Sequence, residues 1–308
     1  MSVIKVESLN YKVNNAITTS VYTDAINARY FWGKEPTKGE GRKIAIISTG
    51  CNVNHKDLEG NIAGVRNFTS DDNSESYNVT DYSGDGTYIA GIIGANEASV
   101  YPGVAPNVDL FILKAISSNG VKVRDIIEAF IYAIEINVDV IITSLQMTEL
   151  NSEFEDVVRS AAHSNISIIA PVGDVLDRPQ EESVKTYPAA FNEVMCVGCS
   201  TSEDKPSPFN NINNHMDMLA PGEGIATLGV RDKYVLVTGS LISAAYAAGG
   251  YILVKNYIEA QLKEPASQSQ VYMSLIRRLK HAEGEYLEKG MGILDFAHEY
   301  DVFPIGSK

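Results

Sequence analysis

The chain has 308 residues, 44% of them hydrophobic, and 25 Lys and Arg stand against 39 Asp and Glu for a formal net charge of −14. That length suits one large α/β domain or two modest ones with a sizeable core. The acidic balance argues against nucleic acid and anionic membrane surfaces as partners, because both require clustered Lys and Arg that this sequence lacks.

No stretch approaches the roughly 18 apolar residues of a membrane span, and the opening MSVIKVESLNYKVNN has no basic region followed by an apolar run. A cytoplasmic protein is expected. Three cysteines, Cys51, Cys196 and Cys199, are odd in number, and the last two alternate with Val and Gly in an apparent strand. Reduced, buried thiols are therefore expected, and not a zinc-binding pair.

Residues 1–40 are weakly patterned. After them come short β-branched apolar runs, KIAIIST at 43–49, DLFILKAI at 109–116, DVIITSL at 139–145, ISIIAPVG at 166–173 and VMCVGCS at 194–200, with the character of strands buried on both faces. Segments of helical period lie between them, including RDIIEAFIYAIEIN at 124–137 and SEFEDVVRSAAHSN at 152–165. The alternation predicts an α/β fold, a doubly wound parallel sheet with helices on both faces in three layers. Loops after Ile47, Leu145, Val172 and Cys199 should then share one rim, where such sheets bind ligands. GSLISAAYAAGG at 239–250 is rich in small residues and predicts a central buried helix, and KEPASQSQ at 263–270 is a polar break before a last helix.

Several of these segments, in order, resemble the subtilases, and most closely their intracellular bacterial branch, over roughly residues 3–296. IAIISTGCNVNHKDL at 44–58 is similar to a family strand ending in Asp-Thr-Gly followed by His-Pro-Asp-Leu, and DYSGDGTYIAGIIGAN at 81–96 to the helix Gly-His-Gly-Thr-His-Val-Ala-Gly. GVAPNVDLFILKAI, DVIITSL, YPAAFNEVMCVG, MLAPGEGI and VTGSLISAAYAAG follow in family order. The resemblance implies a subtilisin-like domain over 23–308 behind an N-terminal extension of residues 1–22.

Family chemistry is peptide hydrolysis by a Ser-His-Asp triad. By resemblance the aspartate position falls on Ser48, the histidine on Asp85 and the nucleophile on Leu241, so all three positions are substituted. The oxyanion asparagine aligns with Asp174, a charged acceptor where a donor is needed. The Ser-Leu-Gly-Gly segment that pairs with bound peptide becomes Ser144, Leu145, Gln146 and Met147, an altered cleft wall.

In subtilisin itself, loss of the serine or histidine lowers the rate about a million-fold and leaves roughly 10³ to 10⁴ over water. These substitutions give the expectation that the chain is not an enzyme. Ser240 and Ser243 flank Leu241 on the wrong side of a helix to replace it, and none of His55, His163, His215, His281 or His298 is placed as a base.

The resemblance also implies a calcium site at Asp57 and in the loop from Asn96. That loop, NEASVYP, is about one residue shorter than in relatives and lacks their Asn-Gly character, so a plain surface turn is the competing reading. Asp85 and Asp174 together would suit a cationic ligand if they faced each other, and solvation of both is the plainer alternative. Residues 4–15 resemble the extension with which intracellular subtilisins cover their cleft, with Leu9 and Tyr11 as anchors, and a docked edge segment is the other possibility.

By resemblance a homodimer is expected, with a protein or peptide partner. The leading expectation is a pseudoprotease of regulatory role, acting on an active relative or its substrate in a setting such as sporulation or germination. The alternative is a residual endopeptidase, or another hydrolase using Asp85 or Asp174 with a water.

Overall fold

Strand β2 (Lys43–Ser48) sets the pattern of the whole sheet. Its Ile44 and Ile46 enter one apolar cluster while Ala45 and Ile47 enter another on the opposite face, as alternating Cβ directions require. A strand covered on both sides reads as an unbroken apolar run. The same holds for β4 (Asp109–Lys114), β7 (Val140–Thr143), β8 (Ser167–Pro171) and β9 (Val194–Ser200), which lie within the predicted runs. The computed structural model describes residues 5–8, 25–32, 38–175, 184–212 and 215–298.

With β3 (Ile62–Asn67), β10 (Met216–Pro221), β13 (Leu279–Lys280) and β14 (Ile293–Leu294), these strands form a nine-stranded sheet of order β13-β14-β10-β9-β8-β7-β2-β4-β3. Every pairing is parallel except β13 with β14. In register, Ile44 faces Leu110 on one side and Val140 on the other. Helices Val123–Glu135 and Ser152–His163 occupy the two predicted helical segments and pack Phe130 edge-to-face on Phe154 at 5.2 Å. The expected α/β sheet with helices around it is thus present.

The small-residue run lies in helix Ser240–Leu262, buried on all sides through Asn256. Its glycines permit close approach: a Cβ at Gly249 would stand 2.7 Å from the Cβ of Val104. A helix apolar all round belongs in a core, and this one packs against the buried helix Asp85–Gly94.

Two smaller sheets were not foreseen. β5 (Ile116–Ser117) and β6 (Gly120–Val121) form a hairpin, and β11 (Ile225–Leu228) and β12 (Tyr234–Thr238) pair antiparallel. The free edge of β12 takes β1 (Lys5–Ser8), with Lys5 opposite Thr238. Leu9 and Tyr11, expected as anchors, lie outside the described residues. Among the described residues no helix is long and apolar enough to cross a membrane.

Candidate active site

The carboxyl ends of the parallel strands deliver the predicted rim. Ser48 closes β2, Ser144 follows β7, and the two buried hydroxyls meet at 2.7 Å. Beyond Ser48 the chain turns through Gly50 at φ +117°, a conformation open essentially to glycine. A Cβ at Gly86 would lie 1.9 Å from the Gly50 carbonyl oxygen and 3.4 Å from the Cβ of Ser48. Only paired glycines let the head of the Asp85–Gly94 helix approach β2 so closely.

The residue that organises this corner is Asp81, which the sequence reading did not single out. Its Oδ1 accepts from Thr49 Oγ1 at 2.9 Å, Ser83 N–H at 3.1 Å and Gly84 N–H at 2.7 Å. Its Oδ2 accepts from Thr87 N–H at 3.0 Å and Thr87 Oγ1 at 2.6 Å. The helix's own N-cap, Gly84, has no side chain with which to cap, so Asp81 satisfies the orphan amides from upstream. An acid two residues before Ser-Gly, with Thr six residues on, was the available signal.

At the other end of the rim stands Asp174. Gly173 and Asp174 are fixed by backbone bonds, Asn211 N–H to the Gly173 carbonyl at 2.9 Å and Val175 N–H to that of Phe209 at 2.8 Å. Both carboxyl oxygens of Asp174 accept from the Ser240 N–H, at 2.9 and 3.1 Å, at the head of the central helix. Leu241 follows, wholly buried and apolar. The structure therefore brings Gly86, at the head of the helix that Asp85 opens, to Ser48 and Asp174 to Ser240 beside Leu241, with the Ser48 to Ser144 bond linking the first corner to the segment after β7.

Burial pushes the Asp174 carboxyl up to about 7, outweighing the opposite pull of the Ser240 N–H and hydroxyl. A carboxyl whose folded pKa exceeds its unfolded value, 3.8, favours the fold when protonated, so the penalty is absent at low pH and complete above about 7. Asp174→Asn keeps an acceptor for Ser240 and removes that penalty. The variant should therefore gain urea resistance over the parent above pH 7, and the gain should vanish below about pH 4; equal differences at both pH values would contradict this account.

Along the segment expected to form the altered wall, Leu145 is buried and its N–H donates to Thr143 Oγ1 at 3.1 Å. Met147 exchanges backbone hydrogen bonds with Tyr187, at 2.9 and 2.7 Å. Gln146 turns its amide onto Gly173, its Oε1 3.3 Å from where a Cβ would stand there. The two large side chains thus go to different places, and the Gln146 amide comes to lie beside the residue preceding Asp174.

Asp57 and Asn96 are adjacent through the Asn96 N–H to Asp57 carbonyl bond at 2.7 Å, yet their side chains serve other partners. The Asp57 carboxylate accepts from the hydroxyls of Ser99 and Tyr234, while Asn96 Nδ2 donates to the Glu59 carbonyl at 3.1 Å. Calcium needs six to eight converging oxygens. Both hydroxyls fall on Asp57 Oδ2, so the Asp57 and Asn96 side chains are each engaged with protein partners. Among the described residues no group of three or more His, Cys, Asp or Glu could hold a metal.

His55 lies buried in the same turn, its Nδ1 accepting from Asp57 N–H at 3.2 Å, and burial lowers its pKa. All three cysteines are buried and unbridged, and burial pushes the Cys51 and Cys199 thiols far up.

A largely parallel sheet, a glycine-paired helix at one corner of its carboxyl rim and a long central helix at the other define a subtilisin-like framework. The subtilase family model matches residues 39–292, and the chain belongs to the subtilase family. It is similar to the major intracellular serine protease of Bacillus subtilis (strain 168), 36% identical over 256 residues, which cover 82% of this chain and 80% of that protein. It is likewise similar to the intracellular serine protease of Paenibacillus polymyxa, 35% identical over 274 residues, 88% of this chain and 83% of that protein. Subtilisin DY of Bacillus licheniformis is 30% identical over 220 residues, 70% of this chain and 77% of that protein.

These relatives correct one expectation. The reading that the chain is not an enzyme rested on a few side chains, whereas proteins 36% and 35% identical over most of its length are named serine proteases. The physical reason is that a hydrolase framework contributes through binding and orientation as well as through individual groups, roughly 10³ to 10⁴ over water in subtilisin without its nucleophile.

Proposed function

We propose that the protein acts on polypeptide chains laid along its rim, as a subtilase-family hydrolase in which Asp174 supplies acid–base chemistry. The observation that carries this reading is the Asp174 carboxyl at the head of the central helix, its pKa raised by burial to about 7, where a general acid–base group works best. In this reading Ser48, Asp85 and Leu241 occupy the degenerate triad positions, and no acyl-enzyme forms at Leu241 because an isobutyl group has no nucleophile.

Water takes the place of that nucleophile. The Asp174 carboxylate removes a proton as the water oxygen adds to the peptide carbonyl carbon. It returns that proton to the amide nitrogen as the C–N bond breaks, which regenerates the carboxylate and releases an acid and an amine.

A second reading is favoured by Leu241, fully buried where an attacking group would have to be exposed. In it the rim holds a segment of an active relative, or of that relative's substrate, in a regulatory role; a setting in sporulation or germination rests on resemblance alone. One assay separates the two. Unfolded casein should be cleaved slowly, without sensitivity to fluorophosphonates, and Asp174→Asn should lower the rate on the order of 10²-fold. Turnover indifferent to Asp174→Asn would refute the first reading, and uncleaved casein retained on the protein would support the second.

A further inference from the structure

Between the turn after β2 and the loop that leads to Asp81 lies a cavity of about 720 Å³, lined by residues 51–54 and 75–81 and by Val230. None of Ser48, Asp85, Asp174 or Leu241 borders it. Its two walls are joined through backbone: the Cys51 N–H donates to the Val79 carbonyl at 2.8 Å, and a Cβ at Gly50 would stand 2.3 Å from that same oxygen. Asn52 is fixed as well, its N–H on Thr87 Oγ1 at 3.0 Å and its Nδ2 on Asp232 Oδ1 at 2.9 Å. The cavity is therefore preformed, and its size is that of a small-molecule site.

The outer wall follows an uncommon turn. Asp72, Asn73 and Ser74 take φ of +54°, +56° and +60° in succession, a left-handed run that residues with a Cβ disfavour. Asn67 then holds the next segment, its N–H on the Ser76 carbonyl at 2.8 Å and its Nδ2 on the Glu75 carbonyl at 3.4 Å. The result is Tyr77, 83% exposed, with an exposed Glu75 two residues before it. A ring so exposed contributes little to the fold, and its apolar surface is open to a ligand.

We propose that this cavity binds an organic cation, an apolar stem ending in an ammonium or guanidinium, with Glu75 and Tyr77 meeting the charge and Val53, Val79 and Val230 the stem. The chemistry follows from the lining. No Lys or Arg borders the cavity, and of its two carboxylates that of Asp81 is filled by five donors, so a ligand meets the charge of Glu75. An anion is repelled there. A neutral apolar molecule gains the stem contacts and nothing from Glu75, whereas a cation gains both and is drawn to the face of a tyrosine ring as well. Lys114, which donates to the Thr80 carbonyl from behind, does not offset this, because Asp71 and Asp72 pair with it.

The ligands n-hexylamine, n-hexanol and hexanoate share a stem of similar length and test the head group by amide-resolved NMR titration of the full chain, read at residues 51–54 and 75–81. An exposed ion pair and a cation–π contact each change affinity by about two- to fivefold, so hexylamine should bind about tenfold more tightly than hexanol, and hexanoate more weakly than both. Glu75→Gln and Tyr77→Leu, both at exposed positions, should each weaken hexylamine by about two- to fivefold, and Glu75→Gln should leave hexanol unchanged. Nα-acetyl-lysine N-methylamide carries the same ammonium on a peptide unit: binding tighter than hexylamine identifies the source as a lysine side chain of a partner, and weaker binding identifies a free amine. Hexanol as tight as hexylamine, hexylamine indifferent to Glu75→Gln, shifts at Asp174 and Ser240 in place of these loops, or no shifts at all would each overturn the proposal.

Discussion

Asp81→Ala is expected to cost about 3–5 kcal/mol of stability and to lower the melting temperature by about 10 °C, because it strips the acceptor from a charged hydrogen-bond hub. Five donors converge on that carboxylate from Thr49, Ser83, Gly84 and Thr87, the last through both its amide and its hydroxyl. Asp81 is buried, so these donors have no water to replace it, and an unmet buried donor costs more than an average hydrogen bond contributes.

Asp81→Asn distinguishes this account from simple loss of volume. It keeps one oxygen for Thr49, Ser83 and Gly84 but turns an NH2 toward the Thr87 amide, so its melting temperature should fall between those of the parent and of Asp81→Ala. An alanine variant as stable as the parent would mean that the head of the Asp85–Gly94 helix is held by the Gly50 and Gly86 contact alone.

What the sequence makes legible follows from where water is. β2, β4, β7, β8 and β9 are covered on both faces, so their side chains are apolar in an unbroken run that no polar residue interrupts. β3, IAGVRN, is the edge strand of the same sheet, half-exposed, and it carries a glycine that lets the ring of Phe111 lie where a side chain would stand. It has neither the run nor the alternation that signals a strand. Strands β11 and β12 follow the Gly-rich segment PGEG, which reads as loop, and their pairing is known only once the central helix fixes where Thr238 ends.

The site divides in the same way. Ser48, Asp85, Asp174 and Leu241 can be picked out by order along the chain, because strand ends and helix heads carry them to the rim. The placement of the Gln146 amide against Gly173 and the grip of Ser240 on Asp174 cannot, since they depend on directions set by elements far apart in sequence. Asp81 is intermediate: its partners are local, but its importance appears only when the glycine-paired corner leaves the helix without a cap of its own.

Lys114 is the extreme case of a residue that local sequence misrepresents, and it carries the second large expected effect. A lysine at the end of a strand suggests a solvated tip, yet this one is 0% exposed. Its Nζ donates to the Thr80 carbonyl at 2.7 Å, stands 3.3 Å from Asp71 and 3.2 Å from Asp72, and lies 4.7 Å over the ring of Tyr82. It sits in register with Ser48 on the adjacent strand, so the cluster braces the loop leading to Asp81 and the rim.

Burial alone would raise the Asp71 pKa, but the Ser117 hydroxyl, the Ser118 N–H and Lys114 together hold it below the usual carboxylate range. A depressed folded pKa stabilises the fold above the unfolded value, 3.8, and that contribution is lost as pH falls through the folded value. Lys114→Met, which keeps the volume and removes the charge, should therefore cost about 3–5 kcal/mol near neutral pH by leaving two carboxylates without their cation. The deficit should narrow in acid below the Asp71 pKa. Adding Asp71→Asn and Asp72→Asn to Lys114→Met should recover more than half of the loss, since removing a whole buried ion cluster is far milder than breaking it. Urea midpoints of the parent, the single variant and the triple variant decide the matter: a triple variant less stable than Lys114→Met would show that the carboxylates hold the loop by their hydrogen bonds to Ser117, Ser118 and Tyr82, and that the buried cation is secondary.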